Sequence, residues 1–361
     1  MKQEGNSQKR KVVFWDHSFH LKTKSTDFFE EILKSEFEII HFWDNSWRPG
    51  GDMPDVEEIN RLQPYCLLFI QQLPPKQIIS RIKCPNKIWV PMGDCFTFGL
   101  CVSLQSLAYC LTLNLKTIAF CRETYRLSRM FGLYTLKLQY FPAPALEHID
   151  KVVSGKNKIF FWQRREEIDW PYLRRVISPD QVDTLYFKID PDPGQSVRMP
   201  SAEDISAYNI KFIEGWMDKD GYLKLLKSCD VFIAPRPYEG IGRAFLEAMA
   251  FGLCVLSPNH HVANEYIRSG DNGILYDFIN PQAVDLSQAK MLGARAQDSI
   301  RRGFKKWEEE KTKILKFVLR PIPFFCRIHS FVSIGGFMLI FFILRIFRYI
   351  KRNVSAQKNV I

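Results

Sequence analysis

Residues 229–259 read as a strand, a glycine-rich turn, a helix and a second strand. That order commits the chain to a parallel α/β unit, because two parallel strands can be joined only by a crossover. CDVFIAP (residues 229–235) is the first strand, and Gly240 and Gly242 bracket Ile241, so the backbone can turn tightly and come close to a ligand. Phe245, Leu246, Ala248, Met249 and Ala250 give a helical, largely buried run that Gly252 ends. CVLSPN (residues 254–259) supplies the second strand. A glycine turn leading into a helix N-terminus is an anion site, with free N–H groups and roughly half a positive charge of helix dipole facing the ligand. Glu239 stands in the turn and Glu247 eight residues later, so a carboxylate on each side can accept hydrogen bonds from hydroxyls. The pattern suits a phosphorylated sugar.

The same alternation of β-rich runs and helical patterns fills the chain, which argues for parallel sheets throughout. Strands are expected at 11–15, 37–43, 65–71, 87–92, 116–121 and 138–141, with helices between them such as 26–35 and 101–111. Pro142 and Pro144, with the polar stretch 151–158, mark a hinge. Strands restart at 158–162, 184–189, 209–214, 230–235, 254–257 and 273–276. The expected organisation is a first domain over 1–150, a second over 151–300, a charged terminal helix over 301–318 that crosses back, and a tail over 319–361. At 361 residues two domains are also the prior from length alone. Ligands bind doubly wound sheets at the carboxyl ends of the strands, which places Glu239 and its turn in the cleft facing the first domain.

Glu239 and Glu247 at this spacing, within PRPYEGIGRAFLEAMAFG, resemble the E-x7-E signature of retaining glycosyltransferases of family-4 type. The acidic loop and glycine turn NEYIRSGDNGIL (residues 264–275) extend that likeness. The resemblance implies a GT-B fold, two Rossmann-like doubly wound domains facing a central cleft, and transfer from a nucleotide diphosphate-sugar without a metal or other cofactor. It implies that Glu239 contacts the donor sugar and Glu247 the nucleotide ribose, while the amides around Gly240, Ile241, Gly242 and Arg243 receive the diphosphate. Arg164, after the strand IFFW, matches the arginine expected there to meet the diphosphate; pairing with Glu166 or Glu167 is its other reading. The lysine usual a few residues on is missing, and Arg236 or Arg243 is expected to take its place. Glu265 matches a donor-sugar contact, with helix capping by Asn264 the alternative. The Gly-Gly loop usual after the first strand is replaced by WDHSFH, residues 15–20. Asp16 or His17 there, and Asp94 after the fourth strand, are candidates to steer the acceptor hydroxyl, while Glu123 reads as a helix cap and His260 and His261 as solvated loop residues.

The net charge of +11 lies wholly at one end. Residues 301–361 hold 14 Lys and Arg against 3 Glu, and the preceding 300 residues hold 36 of each sign. A nucleic-acid footprint on the body is therefore not expected. The run 331–344 is 14 residues without a charge, flanked by arginines and interleaved with Phe. That is short for a bilayer span and suits a segment lying in the headgroup region of an anionic membrane, with packing on the body or a true span as alternatives. Nine cysteines with no C-x-x-C pair suggest reduced, buried thiols. The expectation is a cytoplasmic enzyme on the inner face of the cell membrane, acting on a lipid-linked or lipopolysaccharide-type acceptor. An inactive scaffold in a glycan-assembly complex and a nucleotide-sugar epimerase are the rival readings.

Overall fold

The computed structural model describes residues 9–92, 113–130, 132–145, 155–215, 217–323 and Gly336. Strands β1 (Arg10–His17), β2 (Phe37–Asp44), β3 (Cys66–Ile70), β4 (Lys87–Val90), β5 (Lys116–Ala119) and β6 (Tyr134–Lys137) form one sheet, in spatial order β2-β1-β3-β4-β5-β6. Strands β7 (Asn157–Gln163), β8 (Val182–Ile189), β9 (Ile210–Glu214), β10 (Val231–Ile233), β11 (Cys254–Pro258) and β12 (Ile274–Tyr276) form the other, in order β12-β11-β10-β7-β8-β9. The named strands pair in parallel in both sheets. Central strands such as CLLFI of β3 and VFI of β10 are buried on both faces, which is why they read as unbroken apolar runs rather than as alternation.

Strand order decides where a ligand can sit. In the second sheet the direction of winding reverses between β7 and β10, and in the first between β1 and β3. Loops leaving the carboxyl ends of those pairs diverge and open a crevice. The loops after β7 and β10 carry Arg164 and the Pro235–Gly242 turn, and the loop after β1 carries residues 17–20.

One expected strand is misplaced. The edge strand is Tyr134–Lys137, half-exposed along its length, and not 138–141. The apolar residues that follow it serve the junction between domains. Tyr140 packs against Trp307 at 5.2 Å, and Phe141 against Tyr266 at 5.3 Å. Phe141 also lies so close to Gly303 that any Cβ there would strike its ring. The helix expected at 101–111, Asp94, and the apolar run 331–344 apart from Gly336 lie outside the described residues; among those described, no helix is long and apolar enough to cross a membrane. Cys66, Cys84, Cys121, Cys229 and Cys254 are buried, and none of the five is in a disulfide.

A long helix, Ala289–Glu310, packs on the second domain and is followed at once by Thr312–Leu319 on the first. Ion pairs Glu308–Lys311 (2.7 Å) and Glu310–Lys313 (3.0 Å) flank the join. The last helix buries Ile314, Phe317 and Val318, and its C-terminal carbonyls are met by the first domain. Lys116, 1% exposed, donates from Nζ to the carbonyls of Phe317 (2.7 Å), Val318 (3.3 Å) and Arg320 (2.8 Å). Asn86 donates to Val318 at 2.7 Å, and the Tyr65 hydroxyl to Leu319 at 3.0 Å. An ammonium has three protons, and here each has a carbonyl at the negative end of a helix. Burial pushes the Lys116 pKa down to about 8, which leaves the ammonium charged at neutral pH. Lys116→Met keeps the stem but removes the donors; it is expected to cost about 2–3 kcal/mol, read as a lower midpoint in thermal unfolding. An unchanged midpoint would show that the carbonyls are satisfied by water instead.

Candidate active site

Arg164 leaves the end of β7 and meets Asp192, from the loop after β8, through both Nε (2.8 Å) and Nη2 (2.6 Å) on the same Oδ1. Arg236, at the end of β10, donates from Nη2 to the other oxygen of Asp192. One carboxylate thus holds two guanidiniums side by side at the carboxyl edge of the sheet. Burial and the neighbouring Arg236 lower the Arg164 pKa, while Asp192 and Glu239 oppose the shift. The indole of Trp162 carries Arg164 at 4.7 Å and Lys188 at 4.8 Å from its centre. Lys188 donates to the Gly215 carbonyl at 2.7 Å and to Asp190 at 3.3 Å. It reaches the cleft from β8, the neighbouring strand, so a lysine does stand near the two arginines although none follows Arg164 in sequence.

The turn that follows β10 brings Glu239 into the same place. Gly242 has φ +84°, and a Cβ there would be driven into the Phe245 ring. A side chain is therefore excluded twice over, by backbone and by space. From Gly242 the helix Arg243–Ala250 starts, burying Phe245, Leu246, Ala248, Met249 and Ala250. Glu247 lies one turn in and pairs with Arg243 at 3.2 Å. Arg243 also crosses to the first domain, donating from Nη1 to the Lys24 carbonyl at 2.6 Å. Its guanidinium is thus engaged with Glu247 and the opposite domain rather than turned to Arg164 and Arg236.

These residues line a cleft of about 1230 Å³ between the domains. Arg164, Lys188, Asp192, Arg236, Glu239, Gly240, Ile241, Gly242, Arg243 and Glu247 form one wall, with His17, His20, Lys22 and Lys24 opposite. Pockets for one small ligand run to roughly 300–1,000 Å³, so this one has room for two substrates. Among the described residues no three His, Cys, Asp or Glu side chains gather as a metal site would require.

Two expected site residues, Asp16 and Glu265, are placed elsewhere. Asp16 is fully buried and does not line the cleft. It faces inward because its oxygens are used by Thr26, His17 and His20. Glu265 also lies off the cleft. Its carboxylate receives the Arg122 amide at the start of the helix Arg122–Met130 and pairs with Lys137 at 3.4 Å, while its carbonyl receives Gln139 at 3.0 Å. It clamps the domains together. Glu123, in the first turn of the helix Arg122–Met130, pairs across the same boundary with His261 at 3.2 Å. His260 is buried rather than solvated, and burial pushes its pKa down to about 3. Asp192 was missed because Asp-Pro-Asp-Pro (residues 190–193) looks like turn punctuation; its position just past a strand end was the available signal.

Residues 206–300 match the model of the family described as glycosyl transferases group 1, a little over a quarter of the chain. Among solved structures, HepE of Anabaena in complex with UDP and glucose superposes with a TM-score of 0.56 at 14% identity, over 85% of this chain and 99% of that one. The sucrose-phosphate synthase of Thermosynechococcus elongatus does so with a TM-score of 0.56 at 13% identity, over 86% and 98%. The fold is GT-B. The trehalose-6-phosphate synthase OtsA has the same architecture, at a TM-score of 0.58 and 10% identity over 87% of this chain and all of its own. No curated protein sequence matches the chain. The GT-B frame accounts for the facing sheets, the cleft and the terminal helix, and the family match covers the whole turn from Pro235 to Gly252.

Proposed function

We propose that the chain is a retaining, metal-independent glycosyltransferase that moves a sugar from a nucleotide diphosphate-sugar to an acceptor at the membrane. One observation carries the reading: Arg164 and Arg236 are held together by Asp192 beside Glu239, at the reversal point of the second sheet and inside a two-domain cleft. Two fixed guanidiniums and a lysine can meet the charge that develops on a departing diphosphate without a divalent ion. Glu239 then accepts from hydroxyls of the donor sugar and Glu247 from the ribose. Retention of configuration follows from the resemblance of the E-x7-E turn; in that mechanism the leaving phosphate helps deprotonate the incoming hydroxyl on the same face.

The cleft lining also includes the apolar residues Ile32, Phe141, Phe304 and Leu315, among charged residues of both signs, Lys24, Lys311, Asp27, Glu31 and Glu308. An acceptor with an apolar portion, such as a lipid-linked glycan, could use those apolar residues. The basic, aromatic tail would hold the enzyme to the anionic inner face of the cell membrane, where such an acceptor is presented.

The test is thermal stabilisation of the full chain by UDP, GDP, dTDP, ADP and CMP and their sugars, with UDP first because HepE is described with it. A specific binder at 100 times its dissociation constant adds about 2.7 kcal/mol. The expected result is one clear hit, reduced at least tenfold in affinity by Glu247→Ala. No hit across the panel would favour a scaffold.

A further inference from the structure

The loop after β1, where a glycine pair was expected, holds two imidazoles locked in opposite tautomers. Asp16, fully buried, accepts from Thr26 Oγ1 at 2.8 Å and from the His17 amide at 2.7 Å, and its Oδ1 lies 2.6 Å from His20 Nδ1. A carboxylate only accepts, so Nδ1 of His20 carries the proton and, in the neutral ring, Nε2 is an acceptor. His17 is fixed the other way. Its Nδ1 accepts from the Phe19 amide at 3.2 Å, which puts the proton on Nε2 and makes that atom a donor. Its ring stacks on Trp47 at 4.5 Å with the planes 22° apart, and Trp47 is itself tied to the Ser18 hydroxyl at 3.0 Å. Burial pushes the His17 pKa down to about 4, so it stays neutral at physiological pH. The two ring centres are 5.7 Å apart, and both residues line the cleft on the wall opposite Glu239.

We propose that His17 and His20 form a subsite for two neighbouring hydroxyls of a sugar ring on the acceptor, His17 Nε2 donating to one and His20 Nε2 accepting from the other. A sugar offers that pairing, whereas a fully ionised phosphate has only acceptor oxygens and calls for donors from both rings. The residues that hold the subsite are not its contacts: Asp16 and Trp47 set tautomer and ring position. The inference rests on the transferase reading and narrows it, since the group that accepts the transferred sugar is then itself part of a glycan rather than a bare lipid phosphate.

The experiment is nitrogen NMR on the full chain labelled at histidine, first alone and then with UDP and each of methyl α-glucoside, methyl α-mannoside and methyl α-galactoside. The free protein is expected to show His20 protonated at Nδ1 and His17 at Nε2, with both Nε2 signals moving on addition of at least one glycoside. Asp16→Asn can turn an amide N–H toward His20 Nδ1; it is expected to reverse that tautomer and weaken glycoside binding about tenfold. His20→Gln, whose amide oxygen can accept from a hydroxyl, is expected to bind better than His20→Ala. If Asp16→Asn disturbs folding, that last comparison still decides. The opposite tautomers in the wild type, no response to any glycoside, or equal binding by His20→Gln and His20→Ala would each overturn the subsite. A chain that binds UDP but no glycoside loses only this subsite, and one that binds glycosides but no nucleotide loses the transferase reading instead.

Discussion

Glu239→Gln is expected to slow turnover of the nucleotide sugar by about 10²-fold or more while leaving the fold intact. The side chain sits in a turn, partly exposed, so little packing is lost with its charge. Its neighbours are what make the charge matter. Glu239 acts on Arg164, which with Arg236 and Lys188 gathers positive charge at the proposed diphosphate site. An amide at this position keeps the size and one acceptor oxygen but drops the charge that orients a sugar hydroxyl against those cations. Release of nucleotide diphosphate, followed by coupled assay, measures the loss, and circular dichroism checks the fold. Turnover within threefold of wild type would remove Glu239 from the mechanism.

Gly242→Ala is expected to damage the same site through the backbone. At φ +84° an L side chain costs about 1–2 kcal/mol, and the added Cβ collides with Phe245, which is 1% exposed. Phe245 packs edge-on against Tyr266 at 5.9 Å, so its ring has no free space to retreat into. Overpacking of that kind costs about 1–3 kcal/mol more. The total, about 3 kcal/mol, is to be read as a lower denaturant midpoint at unchanged slope. Nucleotide affinity should fall as well, because the amides at the start of the helix Arg243–Ala250 are aimed by this turn. A variant as stable as wild type would mean that the turn relaxes to another path.

The local architecture of the second domain around Gly242 could be read along the chain because its parts are consecutive. The strand end, the glycine turn and the helix from Arg243 to Ala250 are consecutive, and each residue type has a conformational reason to stand where it does. What escaped depends on sheet order. Asp192 meets Arg164 and Arg236 only because β8 and β10 flank β7, an arrangement that the residues between 163 and 236 do not spell out. Asp16 and Glu265 were misjudged for a related reason. An acidic residue at a strand end looks the same in sequence whether it faces a cleft, an adjacent histidine or another domain. The shifted edge strand has a simpler cause: Tyr140 and Phe141 are more apolar than Tyr134–Lys137, but their ring partners are Trp307 and Tyr266.

The terminal helix pair gives the molecule a mechanical property. The chain passes between the domains once after Phe141 and again at Lys311, and the two passages are stitched side by side where Phe141 lies on Gly303. Bodies joined by one thread can twist freely, whereas bodies joined by two adjacent threads swing like a door on its jamb. Opening of the cleft is therefore expected to be a one-axis swing that carries the His17–His20 loop away from the Glu239 turn while Tyr140, Phe141, Tyr266 and Trp307 stay in register. Each closure would then return the His17–His20 loop to the same place opposite the Glu239 turn.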